Sequence, residues 1–180
     1  MKAHSGQPNV YLIGMMGAGK TTVGRLLAKR LKMRFLDSDH EVEARCGVKI
    51  PLIFEIEGET GFRSREAQAI EELTELEGIV LATGGGAVLS AKNRERLGST
   101  GTVVYLRARP EDLCERVRHD RNRPLLAKGD PLSRLRELFA ERDPLYREVA
   151  DIVVETGAQS VQSLTRNLLS KIEERWKASA

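Results

Sequence analysis

Cysteines and aromatic residues are scarce in this chain of 180 residues, and each scarcity argues against a class of protein. The two cysteines, Cys46 and Cys114, form no C-x-x-C pair and have no histidine pair nearby, which disfavours a structural metal site. We expect both thiols to be reduced, as in a cytosolic protein. Aromatic side chains make up 4% of the residues and do not alternate with the basic ones, which argues against stacking on single-stranded nucleic acid.

Long apolar runs and a strong net charge are also lacking. No apolar run approaches the 18 residues that a membrane span needs, and Met1 to Pro8 lacks the apolar core of a secretory signal. The charge of +3, from 29 Lys and Arg against 26 Asp and Glu, does not by itself imply nucleic acid. We therefore expect a cytoplasmic protein with no membrane or nucleic-acid partner, folded as a single domain over residues 1–180.

Short apolar runs alternate with helical patterns along the chain, and this order predicts the fold class. Most of the runs are continuously apolar, which is typical of parallel strands covered on both faces. The clearest helical patterns are Lys20 to Leu31 and Val161 to Trp176, with Ser160 as an N-cap and Trp176 as a packing residue. We predict an α/β protein with a parallel sheet. The predicted strands are Val10–Ile13, Phe35–Leu36, Ile79–Ala82, Val103–Leu106 and Ile152–Val154.

The loop after the first predicted strand matches G-x-x-x-x-G-K-[ST] from Gly14 to Thr21 and leads into an amphipathic helix. Backbone N–H groups in such a loop, together with the helix N-terminus, bind phosphate oxygens. Lys20 is predicted to reach the β- and γ-phosphates, and Thr21 to offer its hydroxyl to Mg²⁺. The chain is therefore predicted to bind a nucleoside triphosphate of the ATP type together with magnesium.

The loop after the second strand places two carboxylates, Asp37 and Asp39, on either side of Ser38. One carboxylate could hold a metal-bound water while the other accepts a substrate hydroxyl. The alternative is a turn in which Asp39 caps a helical segment from His40 to Arg45. Ligands of parallel sheets bind beyond the carboxyl ends of the strands, and this position favours the functional interpretation.

The loop after the third strand is Thr83-Gly84-Gly85-Gly86. A simple turn does not need three consecutive glycines, whereas a backbone that must approach a ligand closely is well served by them. The alternative is a flexible linker, which the well-patterned flanking segments disfavour.

A basic run from Arg116 to Lys128 contains five cations and one anion, Asp120. Such a cluster attracts a phosphate chain, although a solvated basic loop is the common alternative. Another alternative is an ATPase that uses the run to hold a nucleic-acid backbone, with steeply salt-dependent binding. The guanine-specificity motif N-K-x-D and the switch motif D-x-x-G do not occur, which disfavours a Ras-like GTPase.

From Asn9 to about Lys171 the chain resembles the shikimate kinases, which are P-loop enzymes of the nucleoside-monophosphate-kinase-like group. The phosphate loop alone would be generic, but its combination with the later arginine and glycine motifs is much more specific. The segments that carry the resemblance are Gly14–Thr22, Asp37–Asp39, Ile53–Glu55, Gly58–Glu59, Phe62–Arg63, Thr83–Gly86, Arg123–Leu126 and Arg142–Tyr146.

The resemblance implies a three-layer α/β/α sandwich around a five-stranded parallel sheet of order 2-3-1-4-5. It also implies a substrate-binding lobe at residues 38–70 and a mobile lid at 119–131. The implied reaction is transfer of the ATP γ-phosphate to the 3-hydroxyl of shikimate, with Mg²⁺, by a monomer. Lid closure would exclude water from the reacting groups.

Residue roles follow from the same resemblance. Lys20, Asp39 and Arg123 are the implied catalytic residues, and Thr21 and Asp37 the implied magnesium residues. ATP contacts are implied for Gly17, Ala18, Gly19, Lys20, Thr21, Thr22, Arg123 and Gln159. Shikimate contacts are implied for Asp39, Arg63, Gly84, Gly85, Gly86 and Arg142.

The chemistry of these residue types agrees with the implied roles, because the planar guanidinium of arginine suits a carboxylate. Alternatives remain open for both arginines. Arg63 could form only a surface ion pair with Glu66, and Arg142 could only stabilise the C-terminus of a helix over Leu132–Glu141. A gluconate kinase or a nucleoside monophosphate kinase, which should lack the two carboxylate-binding arginines, is the nearest rival.

Overall fold

A computed structural model describes residues 7–118, 120, 124–126 and 128–180 of the chain. Five strands, β1 to β5, form one parallel sheet of order β2-β3-β1-β4-β5, which is the order that the family resemblance implies. In register, Tyr11 lies between Leu81 and Val103. The strands are β1 (Asn9–Ile13), β2 (Arg34–Asp37), β3 (Ile79–Ala82), β4 (Gly101–Arg107) and β5 (Ile152–Glu155).

In the described residues, seven α-helices accompany the sheet and complete a three-layer sandwich. Helix α1 packs against β2, β3 and α7, whereas α4 and α6 pack against β4 and against each other. The helices are α1 (Lys20–Leu31), α2 (Ser38–Cys46), α3 (Ile50–Leu73), α4 (Ala91–Thr100), α5 (Pro110–Val117), α6 (Pro131–Val149) and α7 (Val161–Ser179). In the part of the chain that the structure describes, no helix is long and apolar enough to span a membrane.

The central strands are fully buried, which confirms the interpretation of their continuous apolar runs. That interpretation is wrong for β5, where buried and exposed residues alternate and Val153 is 37% exposed. The reason is position, because among the described strands β5 lies at the edge of the sheet and pairs with β4 alone. Near the start of the chain, helix α1 begins at Lys20 and ends at Leu31, as predicted.

Helix α7 begins after Ser160, whose hydroxyl accepts a hydrogen bond from the Ser163 amide, and it runs past Trp176 to Ser179. The Trp176 indole packs against the core and donates from Nε1 to Thr102 Oγ1 at 2.9 Å. Both the N-cap and the packing role predicted for this helix are therefore confirmed.

Two helices differ from their predicted extents, and both differences bear on the site. Helix α6 continues through Pro144 to Val149, so Arg142 lies well inside the helix and the predicted C-terminal capping role is wrong. Helix α3 runs from Ile50 to Leu73 and is broken at Gly58, whose φ is 71° and ψ is −178°. The sequence pattern predicts a helix only from Phe62 to Leu76, which omits the first part of α3 and extends three residues past its end at Leu73.

Candidate active site

Loops after β1, β2 and β3 meet at the carboxyl edge of the sheet, where ligands of parallel α/β proteins bind. Hydrogen bonds hold the loops together. The Thr83 amide and hydroxyl both donate to the Leu12 carbonyl, and the Gly84 amide donates to Ser38 Oγ at 3.0 Å. The three segments that the sequence singles out therefore form one continuous surface.

The phosphate loop is seated tightly on the end of β4. Gly14 has a φ of 146°, and a Cβ at this position would lie 2.5 Å from the Leu106 carbonyl oxygen, so only glycine fits. Lys20 is buried, and its Nζ donates to the carbonyl oxygens of Gly14 at 2.6 Å and Met15 at 2.9 Å. The ammonium group therefore lies over the loop, next to the N-terminus of α1.

Thr21 and Asp37, the two predicted magnesium residues, are in direct contact. Thr21 Oγ1 donates to Asp37 Oδ2 at 2.9 Å. The other carboxylate oxygen of Asp37 accepts from the amides of Asp39 and His40 and so caps α2. The predicted alternative, in which Asp39 is the cap, is therefore wrong, and the Asp39 carboxylate faces the cleft instead.

The donor set around Thr21 and Asp37 fits magnesium. Both residues offer hard oxygen ligands, and Mg²⁺ usually takes one or two protein carboxylates while keeping waters and substrate phosphates. Within residues 7–118, 120, 124–126 and 128–180, no cluster of three or more His, Cys, Asp or Glu side chains could hold an ion alone. Because Mg²⁺ commonly takes substrate phosphates as ligands, a nucleotide bound over the loop would supply further ligands to an ion held by Thr21 and Asp37.

A cavity lies above the phosphate loop, and a second cavity adjoins it. The first is lined by Gly17, Gly19, Lys20, Thr21, Thr22, Asp37, Asp39 and Arg116, among others. Gly17, Ala18, Gly19, Thr22, Arg116, Thr156 and Gln159 line the second. All the predicted ATP-binding residues that the structure describes border one or both cavities.

Arg116 and Gln159 are held at the second cavity by backbone contacts. Arg116 Nη1 donates to the Gly17 carbonyl at 3.1 Å, and Gln159 Nε2 donates to the Glu155 carbonyl at 2.9 Å. Arg123 lies outside the described residues, as does part of the predicted lid 119–131.

A separate cleft contains the predicted acceptor residues. The apolar side chains that line it include Phe54, Phe62 and Leu125. Polar groups also line the cleft, so it suits a small ligand with an apolar ring and polar substituents. The predicted residues that line it are Asp39, Arg63, Gly84, Gly85, Gly86 and Arg142.

Arg142 is the largest fully buried side chain described, with 1% of its surface exposed. Among the described residues, its Nε and Nη1 atoms have no hydrogen-bond partner, and the same holds for Nε of Arg63. Buried guanidinium groups are costly unless an anion satisfies them. The cleft thus offers N–H donors whose hydrogen bonds a ligand carboxylate could accept.

Glu66, which the sequence suggested only as a surface partner of Arg63, is a buried part of this cleft. It is 1% exposed, and its Oε1 accepts from Arg63 Nη1 at 2.9 Å. Burial raises the pKa of Glu66 to about 7, against the opposing influence of Arg63 and with a further contribution from Asp39. Nothing in the local sequence distinguishes Glu66 from an exposed helix residue, because its burial comes from contacts with the glycine loop.

Gly84 is where the two carboxylates and the glycine loop meet. A Cβ on this residue would lie 2.6 Å from Glu66 Oε2 and 2.7 Å from Asp39 Oδ1. Gly84, Gly85, Met16 and Asp39 also border the phosphate cavity, so the two cavities share a wall. Asp39 is consequently in reach of both a bound nucleotide and a ligand in the cleft.

Comparison with known proteins decides the family. The model of the shikimate kinase family matches residues 16–173. A shikimate kinase from Thiobacillus denitrificans is 65% identical over 169 residues, which are 94% of this chain and 92% of that protein. The chain belongs to the shikimate kinase family.

Two further shikimate kinases agree with this family assignment. That of Cupriavidus pinatubonensis is 63% identical over 94% of this chain and 88% of its own. The solved structure of the Acinetobacter baumannii shikimate kinase in complex with shikimate superposes with a TM-score of 0.92 at 51% identity, covering 94% of each chain. The family and the strand order predicted from the sequence are therefore confirmed.

Proposed function

We propose that this chain transfers the γ-phosphoryl group of ATP to the 3-hydroxyl of shikimate, giving shikimate 3-phosphate and ADP. The observation that carries the proposal is the shared wall between the two cavities. A cleft with two arginines suited to a carboxylate adjoins a phosphate-binding loop, and Asp39 borders both. Membership of the shikimate kinase family supports the choice of acceptor.

On the donor side, the N–H groups of the phosphate loop and the N-terminus of α1 would bind the phosphate oxygens. Lys20 would move from its carbonyl partners to the β- and γ-phosphates, and Arg123 would neutralise charge on the transferred group. Gln159 would lie by the adenine, at the second cavity. Thr21 and Asp37 would hold the magnesium ion, which neutralises phosphate charge when bound.

On the acceptor side, Arg63 and Arg142 would bind the carboxylate of shikimate by paired N–H donors. Asp39 would accept a hydrogen bond from the attacking hydroxyl, and the Gly84–Gly86 backbone would line the opposite side. The 3-hydroxyl oxygen would then bond to the γ-phosphorus while the bond from that phosphorus to the β–γ bridging oxygen breaks, and the hydroxyl proton would leave along its hydrogen bond to Asp39. Because this transition state is loose, positioning and charge neutralisation supply most of the rate enhancement.

We also propose that residues 38–70 form a substrate-binding lobe and residues 119–131 a lid. The same proposal includes a monomeric state and a cytoplasmic location. Support for the lobe comes from α2 and α3, which pack together around Val42, Ile53 and Phe62 beside the cleft. Closure of the lid over the phosphates would exclude water and suppress hydrolysis of ATP.

The test of the substrate is ADP release with shikimate, gluconate, AMP, CMP or no acceptor, at fixed MgATP. We expect turnover with shikimate alone and a single phosphate ester at the 3-position by ³¹P and ¹H NMR. Turnover only with gluconate or a nucleotide would overturn the assignment.

The test of residue roles uses three variants and one control. Arg63→Ala and Arg142→Ala should raise the KM for shikimate far more than that for ATP, and Lys20→Ala should abolish transfer. Arg96→Ala is the control, because Arg96 is half-buried and bonded to Thr74 Oγ1 at 2.8 Å, on α4 rather than in the cleft. An unchanged KM for shikimate in Arg142→Ala would contradict its role.

A further inference from the structure

The hydroxyl of Tyr146 reaches the triple-glycine loop from the interior of the protein. Tyr146 lies on α6, one turn after Arg142, and is fully buried. Its hydroxyl donates a hydrogen bond to the carbonyl oxygen of Gly85. A phenol on the arginine-bearing helix thus holds the backbone of the loop that lines the acceptor cleft.

The contact fixes more than one atom, because the peptide that joins Gly85 to Gly86 is planar and trans. In such a unit the carbonyl and the N–H point in opposite directions. Holding the Gly85 carbonyl toward α6 therefore directs the Gly86 amide away from it, on the side where Gly86 lines the cleft. In the described part of the chain, the Gly85 and Gly86 amides donate no hydrogen bond.

The hydroxyl also lies beside the arginine of the cleft. A Cβ at Gly85 would be 3.4 Å from Arg142 Nη1, so the loop and the guanidinium touch at the point that Tyr146 holds. Burial raises the pKa of Tyr146, and the nearby Arg142 guanidinium opposes that effect. The phenol therefore keeps its proton at neutral pH and remains a hydrogen-bond donor.

Tyr146 is itself held by a rigid set of partners. Its ring packs on Tyr105 of β4 with ring centroids 4.8 Å apart, and the Tyr105 hydroxyl donates to Asp143 Oδ1 at 2.7 Å. Arg107 and Arg147 donate to the same carboxylate at 3.1 and 3.0 Å. Helix α6 is thus tied to the sheet on the turn that carries both Arg142 and Tyr146.

A loop of three glycines has more backbone freedom than any other tripeptide, and this freedom must be lost when a ligand binds. We infer that Tyr146 is a positioning residue, whose hydroxyl holds the Gly85–Gly86 peptide against α6 so that the acceptor site is assembled before shikimate binds. This inference rests on the proposed function, because it concerns the same cleft.

The test is Tyr146→Phe, which keeps the ring and its packing on Tyr105 and removes only the hydroxyl. We expect the KM and the dissociation constant for shikimate to rise by about threefold to tenfold, the value of one hydrogen bond. The kcat and the KM for ATP should stay within about twofold. The dissociation constant is measured by calorimetry without nucleotide.

The matched control is Tyr11→Phe, since Tyr11 is equally buried and its hydroxyl is bonded to Asn9 and Thr100, away from the cleft. Both variants should lose similar thermal stability, but only Tyr146→Phe should bind shikimate more weakly. Equal shikimate affinity in Tyr146→Phe and wild type would overturn the inference, as would a fall in kcat at unchanged affinity. If the wild-type protein neither bound nor phosphorylated shikimate, the proposed function would fail instead.

Discussion

Glu66→Gln should change how the stability of the protein depends on pH. The pKa of Glu66 is raised from its ordinary 4.5 to about 7 by burial, so the folded protein holds this proton more tightly than the unfolded chain. As the pH rises from about 5 to 8, the unfolded carboxyl ionises freely, whereas ionisation in the fold is opposed. Stability is therefore lost as the pH rises through this window.

The size of the effect follows from the two pKa values. Each pKa unit corresponds to about 1.36 kcal/mol, and at pH 5 the carboxyl of the unfolded chain is already partly ionised. Between pH 5 and 8 the free energy of unfolding of wild type should therefore fall by about 2.5 kcal/mol more than that of Glu66→Gln. The assay is urea unfolding at several pH values without ligands, comparing the free energy of unfolding of the two proteins.

Glu59→Gln is the matched control, because Glu59 is the exposed carboxylate on the other side of Arg63, at 3.2 Å. Its difference from wild type should be nearly independent of pH, since surface ion pairs contribute little. A pH-independent difference for Glu66→Gln as well would refute the reasoning. So would a wild type that gains stability relative to this variant as the pH rises, because the ion pair with Arg63 would then outweigh burial.

Three further outcomes are expected from single substitutions. Gly84→Ala should lower the free energy of unfolding by about 1–3 kcal/mol through overpacking, measured by urea unfolding, and should weaken shikimate binding, measured by calorimetry. The control Gly98→Ala, in helix α4 with ordinary contacts, should change neither quantity. Thr21→Val should raise the Mg²⁺ concentration for half-maximal rate by about tenfold or more, and Thr165→Val, which loses a hydroxyl within α7, should leave it unchanged. Trp176→Phe should cost about 1 kcal/mol of stability through loss of the indole hydrogen bond, with kcat unaltered; a fall in kcat would mean that α7 affects the site.

The sequence predicted the elements whose signals are local. A strand, a glycine loop and an amphipathic helix follow one another from Asn9 to Leu31, and each part has its own pattern, so the bounds of α1 were predicted correctly. The parallel strand order came from the family resemblance rather than from any local pattern.

Features that depend on tertiary contact escaped prediction. Helix α6 passes through Pro144, although Arg-Asp-Pro is typical of a helix end, because its ties to β4 hold the helix beyond that point. In α3, the break at Gly58 hides the first part of the helix from a periodic pattern. The buried position of Glu66 and the role of Tyr146 were not predicted either, because both involve the glycine loop, which is distant in sequence: Glu66 lies beside Gly84, and the Tyr146 hydroxyl bonds to Gly85.

The buried guanidinium of Arg142 has a consequence for how the protein would change under relaxed selection. A charge held away from water, with unsatisfied N–H groups, lowers the stability of the ligand-free fold, and an apolar side chain of similar volume in its place is often neutral or stabilising. Shikimate binding therefore favours arginine at this position, whereas stability of the ligand-free fold favours an apolar residue. A lineage that no longer needed the cleft would gain thermal tolerance by exchanging this arginine for methionine or leucine. Screens for heat-resistant variants that ignore activity should therefore recover changes at Arg142 early.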